Sequence, residues 1–163
     1  MIEETEQEKE NASSDSRLRK LTKEEIKSTL KTHMQWVNSN GREGRAADFS
    51  KVHLKGEVFM GANLMGADFR EAYLYGAYLK KANLEDAGLR GANLRGANLR
   101  WANLKQADLK NANLVRADLH AANLEQADLR GANLKMAEGL TQEQIALAQT
   151  DAATVLPDYL KKN

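Results

Sequence analysis

The sequence predicts an all-β solenoid of square cross-section, and three features of the stretch from Ala47 to Met136 predict it. The stretch is written five letters at a time, as in Ala-Asn-Leu-Arg-Gly, Ala-Asn-Leu-Arg-Trp, Ala-Asn-Leu-Lys-Gln and Ala-Asp-Leu-Lys-Asn over residues 92–111. Its outer letters recur in columns of twenty. And neither a continuous helix nor a straight strand can hold such a pattern on one face.

A helix turns about 100° per residue, so five residues move the apolar stripe by about 140° per unit and no face stays apolar. A strand alternates with period two, and an odd repeat would send every second Leu into solvent. The pattern works when each unit is a short extended piece followed by a corner that resets the phase. Ala and Leu, two apart, then share the inner face. Gly56, Gly61, Gly66, Gly76, Gly91, Gly96 and Gly131 all fall at the second corner position, which suits a backbone of unusual φ. Bends of one sense close the chain into coils that stack. The residue between Ala and Leu is Asp at 48, 68, 108 and 128, with only Asp118 out of phase, and the residue after Leu is basic at Arg70, Arg90, Lys110 and Arg130. Phe49 and Phe69 keep the same step. Those columns need four units per coil, about 4.5 coils over residues 47–136.

The A-(D/N)-L-x-x series over Ala47–Met136 resembles the pentapeptide-repeat family. The resemblance implies a right-handed quadrilateral β-helix with Ala and Leu inside and the other letters outside. It also implies that short helices close the ends, and it leaves open a homodimer through the C-terminal cap.

The length of 163 residues leaves room for one repeat domain and its caps. A formal net charge of +1 predicts attraction to neither nucleic acid nor membrane. The absence of Cys excludes disulfides and thiol chemistry. Met1 is followed by Ile2-Glu3-Glu4, not a basic start and an apolar run, so no secretory signal is expected. No segment reaches the ~20 apolar residues that span a bilayer. The expected compartment is the cytoplasm.

In chain order, residues 1–16 are acidic, without apolar periodicity, and read as a disordered tail. Residues 17–46 form a helical cap. Thr22 and Glu25 are spaced for a capping box, Leu21 and Ile26 for a hydrophobic staple. Ile26, Leu30, Met34 and Val37 make the apolar stripe, flanked by His33 and Trp36, and Gly41 supplies the left-handed stop. That stripe is expected to cover the open end of the solenoid, whose strand edge would otherwise pair with other chains. The first coil is irregular: Glu57 takes an inner position and His53 and Val58 replace Asn or Asp. A buried Glu57 is costly unless paired, so the strand is expected to splay or Glu57 to bond near Arg42 and Arg45. Residues 137–163 form the C-terminal cap. Thr141 and Gln144 repeat the capping box, a helix runs to about Gln149, Pro157 forces extended chain, and Tyr159 and Leu160 seal the end.

Stacked Asp108 and Asp128 invite a hydrolase reading, since two carboxylates about 4.8 Å apart can act as acid and nucleophile. Each lies beside Arg or Lys, which lowers carboxylate pKa values and spoils a general acid. His33, His53 and His120 sit at unrelated positions and make no triad or metal set. No cofactor motif is present, so no enzyme, cofactor or metal is expected. The reading favoured instead is a scaffold that binds an unidentified protein partner. Its candidate surface is an aromatic-basic corner of Tyr73, Tyr75, Tyr78, Arg95, Arg100 and Trp101, the composition of interface hot spots. Tyr75 and Arg95, in register, are placed for cation–π contact. The family resemblance adds an alternative: some members, quinolone-resistance proteins among them, bind DNA gyrase by imitating duplex DNA. Residues 47–136 depart from that pattern, with thirteen Lys and Arg against ten Asp and Glu.

Overall fold

The computed structural model describes residues 18–161. The acidic stretch 1–16 lies outside the described residues. Every unit of the repeat is built alike. The Leu carbonyl accepts from the N–H three residues on, as in Ala82 N–H to Leu79 O at 3.0 Å. At each second corner position from 51 to 136, φ lies between +53° and +68°. A four-residue turn whose third residue has positive φ follows the type II pattern, hence the frequent Gly. Lys81, Trp101 and Ala121 take the same conformation at φ +60°, +55° and +53° without being Gly, at a cost of roughly 1 kcal/mol each.

Coils stack through parallel bridges in steps of twenty: Asp48 with Asp68, His53 with Tyr73, Val58 with Tyr78, Asn63 with Asn83, and so on down four columns. We number the walls by these columns, the first starting at 48, the second at 53, the third at 58 and the fourth at 63. The interior is the Ala and Leu of every unit. Leu64 to Leu134 are at most 1% exposed wherever Leu occurs in the series, each contributing roughly 1.5–3 kcal/mol by burial. At the upper end Phe49, Phe59 and Phe69 fill the bore, Phe49 and Phe69 stacked at 5.2 Å.

Helix α1 (Lys23–Asn38) begins with the expected capping box, Thr22 Oγ1 accepting from Glu25 N–H and Glu25 Oε2 from Thr22 N–H. Its inward stripe differs by one position from the sequence expectation. Ile26 and His33 are buried, Leu30, Trp36 and Val37 half-buried, and Met34 is exposed. His33, seven residues after Ile26 and so on the same face, takes the inward place, and its Nδ1 accepts the Ala47 N–H at 3.1 Å, tying helix to first repeat. At the helix end Asn40 N–H bonds Val37 O and Gly41 N–H bonds Trp36 O, a Schellman arrangement with Asn40 already left-handed at φ +53° ahead of Gly41. Gly44 passes so close to the helix that a Cβ would overlap the Thr32 carbonyl.

Strand β1 (Arg19–Lys20) pairs in parallel with β2 (Val52–His53), extending the second wall upward by one strand. Glu57 corrects the sequence expectation. Its strand is regular, with Tyr78 N–H to Glu57 O at 2.9 Å, and among the described residues it makes no ion pair with Arg42 or Arg45. The top coil leaves this inner position half-open at the rim, so the carboxylate keeps water instead of needing a partner.

At the lower end α2 (Gln142–Leu147) carries the Thr141–Gln144 capping box and stops short of Gln149. Gln149 instead bridges Asp128, and Val155 bridges Asn133, so the tail supplies strands to the first and second walls. Tyr159 Oη donates to Ala137 O and accepts from Leu140 N–H.

Candidate interaction surface

The walls differ in how far they satisfy themselves. Where the residue between Ala and Leu is Asn or Asp, its Oδ1 accepts the N–H two residues on, at the corner, as in Asn98 to Arg100 and Asn113 to Val115. This local bond is the physical reason for Asn and Asp at that letter. The fourth wall adds a ladder, Asn83, Asn103 and Asn123 each donating Nδ2 to the Asn above at 3.3, 3.0 and 3.2 Å. The first wall is an ion-pair ladder. Arg70 bonds Asp68, Arg130 bonds Asp128 at 2.6 Å, and Lys110 reaches Asp128 at 3.1 Å. Arg130's hydrogen bonds, with Lys110 beside them, hold the Asp128 carboxyl far below the usual carboxylate range. It stays ionised, which suits a structural ladder and not proton donation. The groove over Asp86, Gln106, Asp108 and Asp128 is open and polar. Among the described residues no group of His, Asp and Glu is arranged to hold a metal.

The second and third walls break the rule at their upper ends. His53, Val58, Tyr73, Tyr78 and, on the first wall, Gly88 carry no carboxamide or carboxylate for the corner. On the second wall rings close over the gap: His53 and Tyr73 lie 5.2 Å apart and Tyr73 stacks on Tyr75 at 6.1 Å. On the third wall Val58 and Tyr78 bridge each other and stay 65% and 48% exposed.

The six residues proposed from the sequence therefore spread over the third wall, its two corners and the adjoining second wall. Tyr78 lies on the third wall. Tyr75 and Arg95 lie in register at the corner toward the second wall, Gly76 N–H bonding Arg95 O. Tyr73 is around that corner, half-buried. Arg100 and Trp101 form the corner toward the fourth wall. Lys55, from the coil above, lies over the Tyr75 ring at 5.5 Å. Arg100 also reaches Asp118 at 3.2 Å. Trp101 is 46% exposed among three cations: Arg100 at 4.8 Å, Lys80 at 4.9 Å and Lys81 at 6.0 Å from its ring centre. Two residues that sequence reasoning left out, Val58 and the 57%-exposed Met60, stand exposed on the same side, one coil above. The signal was present: each stands twenty before a residue of the patch, Tyr78 and Lys80.

No curated protein matches the chain. Among solved structures, Rfr23, a pentapeptide repeat protein of the cyanobacterium Cyanothece 51142, aligns with a TM-score of 0.64 at 29% identity over 78% of this chain and 99% of that one. A pentapeptide repeat protein of the Arabidopsis thaliana thylakoid lumen aligns with a TM-score of 0.49 at 27% identity, covering 66% of this chain and 80% of that one. QnrB1, a plasmid-mediated fluoroquinolone resistance protein, aligns with a TM-score of 0.30 at 16% identity, covering 74% and 69%. The family model for pentapeptide repeats matches residues 45–79, 72–111 and 97–135, so the stretch with left-handed corners and columns of twenty places this chain in the pentapeptide-repeat family.

Proposed function

We propose that the chain is a non-catalytic scaffold that docks a protein partner on the third wall, centred on Val58, Met60, Tyr78 and Trp101. The observation that carries this reading is Val58 stacked on Tyr78. Both give up the corner bond that Asn or Asp would make, worth about 0.5–1.5 kcal/mol net, and both remain exposed. Local folding has nothing to gain from that exchange, whereas clustered aromatic, Met and Arg side chains are what interfaces use. Lys80 and Lys81 meet no carboxylate among the described residues, so the surface suits a partner with acidic groups around an apolar anchor.

The other walls fit less well. The fourth is closed by its own amide ladder and the first by its ion pairs. Imitation of duplex DNA toward a topoisomerase would need a dominant acidic surface, and residues 47–136 carry thirteen Lys and Arg against ten Asp and Glu. No helix among the described residues is long and apolar enough to cross a membrane.

The test is site-directed photo-crosslinking in the source cell. A benzophenone side chain at position 78 should capture a discrete partner, while the same group at position 113, on the second wall, should not. Equal capture from both positions, or none from 78, refutes the reading.

A further inference from the structure

We propose that the upper edge of the third wall, at Glu57–Phe59, takes up an extended segment of an acidic partner as an added β-strand. The inference rests on the third wall being the docking surface and states how it docks. In each column the residue between the inner letters directs its N–H and carbonyl to the coil above, as Tyr78 N–H bonds Glu57 O and Tyr78 O accepts from Phe59 N–H, at 2.9 and 2.8 Å. The top coil has no repeat above it, so each wall must end its ladder somehow. The second wall ends under β1, which adds Arg19 and Lys20 over Val52 and His53. The fourth ends under α1, with buried His33 beside Asn63. The first ends at Asp48, whose side chain is charged and bonded to Ser50. The third ends at Val58, whose N–H and carbonyl, like those of Asp48 and Asn63, meet no hydrogen-bond partner among the described residues, but whose side chain alone of the three is apolar and exposed.

An open edge with an apolar residue is a template for strand addition. This chain already uses that device where non-repeat segments extend the ladder, at β1 above and at Gln149 and Val155 below. Lys80 and Lys81 lie one coil below, at the corner where the added strand would leave the wall, and would meet acidic residues flanking its apolar core.

The probe is a fluorescein-labelled synthetic peptide, Glu-Asp-Val-Thr-Val-Thr-Asp-Glu, with the full-length protein. Saturable binding is expected, with amide exchange at Val58 slowed at least about tenfold, since an amide gains protection only when it is bonded. N-methylating the peptide on its edge-facing amides should weaken binding at least about tenfold, as should Val58→Pro, which removes an N–H that makes no internal bond. The melting temperature of Val58→Pro reports whether the variant is folded, and the N-methyl peptide tests the same point on the unaltered protein. No binding, or binding with Val58 exchange unchanged and N-methylation tolerated, overturns the proposal. Binding that survives Val58→Pro but is lost in Tyr78→Ala overturns the edge while leaving the wall; absent crosslinking from position 78 overturns the wall itself.

Discussion

Replacing Ala102 by Leu tests the inside-outside assignment at its tightest point. Ala102 is 1% exposed on the inner side of the fourth wall, with Ala82 directly above and Ala122 directly below. Those neighbours are joined to it by backbone bonds of 2.9 Å, from Asn103 N–H to Ala82 O and from Asn123 N–H to Ala102 O. A larger side chain there cannot lean along the column, because the coils above and below are equally spaced and equally filled. It must push across the bore into the Leu layer or open the ladder. Overpacking of this kind costs about 1–3 kcal/mol. For a chain of this size a kcal/mol shifts the melting temperature by about 2–4 °C, so a fall of about 2–12 °C is expected. The control is Gln106→Leu, at an exposed corner whose left-handed φ of +59° is already borne by a side chain. A surface change of that kind stays within about 0.5 kcal/mol. Thermal unfolding followed by circular dichroism would compare the two. Equal shifts, or a larger one for Gln106→Leu, would refute the reasoning, because the two positions would then not differ in facing.

Other outcomes follow from the ends and corners. Ala121→Gly relieves a Cβ from φ +53° and should raise stability by up to about 1 kcal/mol, read from urea midpoints; a loss would mean that the corner is not strained. Gly44→Ala places a Cβ on the Thr32 carbonyl and into the backbone of α1, so proteolysis should begin near residues 38–46 while the repeat stays resistant. His33 is buried, which pushes its pKa down, and its Nδ1 is occupied by the Ala47 N–H. Its contribution is therefore complete above the unfolded value of about 6.5 and is lost as pH falls toward the lower folded value; His33→Gln should remove that part of the pH dependence between pH 8 and 5. The hydrogen bonds of Arg70 on Asp68 and of Arg130 on Asp128 depress both carboxyls. Their contribution persists to lower pH and is lost only below about 3.9, the unfolded value, so Asp128→Asn should flatten the acid limb without changing the His33 window.

Much of the molecule was legible because the repeat is self-consistent. A five-letter period admits one backbone solution, and columns of twenty then set the number of walls. The two capping boxes were legible because they are local, needing only Thr22 with Glu25 and Thr141 with Gln144. What escaped is non-local. That His33 and not Met34 faces inward is what the helical period gives seven residues after Ile26, but hydrophobicity pointed to Met34, and the Ala47 N–H that meets the inward imidazole lies fourteen residues away. Glu57 looked buried because its letter is inward, but the top coil has no neighbour above to bury it. Exposed Tyr and Trp at the candidate surface announce themselves in the sequence. Val58 and Met60 do so only through the columns of twenty, which place their outward letters one coil above Tyr78 and Lys80.

The corner bond gives a measure of where the fold is not arranged for its own sake. Asn at the letter between Ala and Leu satisfies a corner N–H, can ladder with the coil above, and costs no exposed apolar surface. A wall of Asn is thus close to the cheapest wall this architecture can build, and the fourth wall is one. Gly88 forgoes the bond but exposes nothing. His53 and Tyr73 forgo it and recover part through ring contacts, worth about 0.5–1.5 kcal/mol in well-formed aromatic pairs. Val58 and Tyr78 forgo it, expose apolar surface, and sit beside Trp101 and two lysines without carboxylates. Stability alone would place Asn at both. Val58→Asn and Tyr78→Asn together should therefore raise the melting temperature or leave it unchanged, while abolishing crosslinking to a partner through a probe at Met60. A clear fall in melting temperature would show instead that the pair serves the fold, and the third wall would lose its claim to be a docking surface.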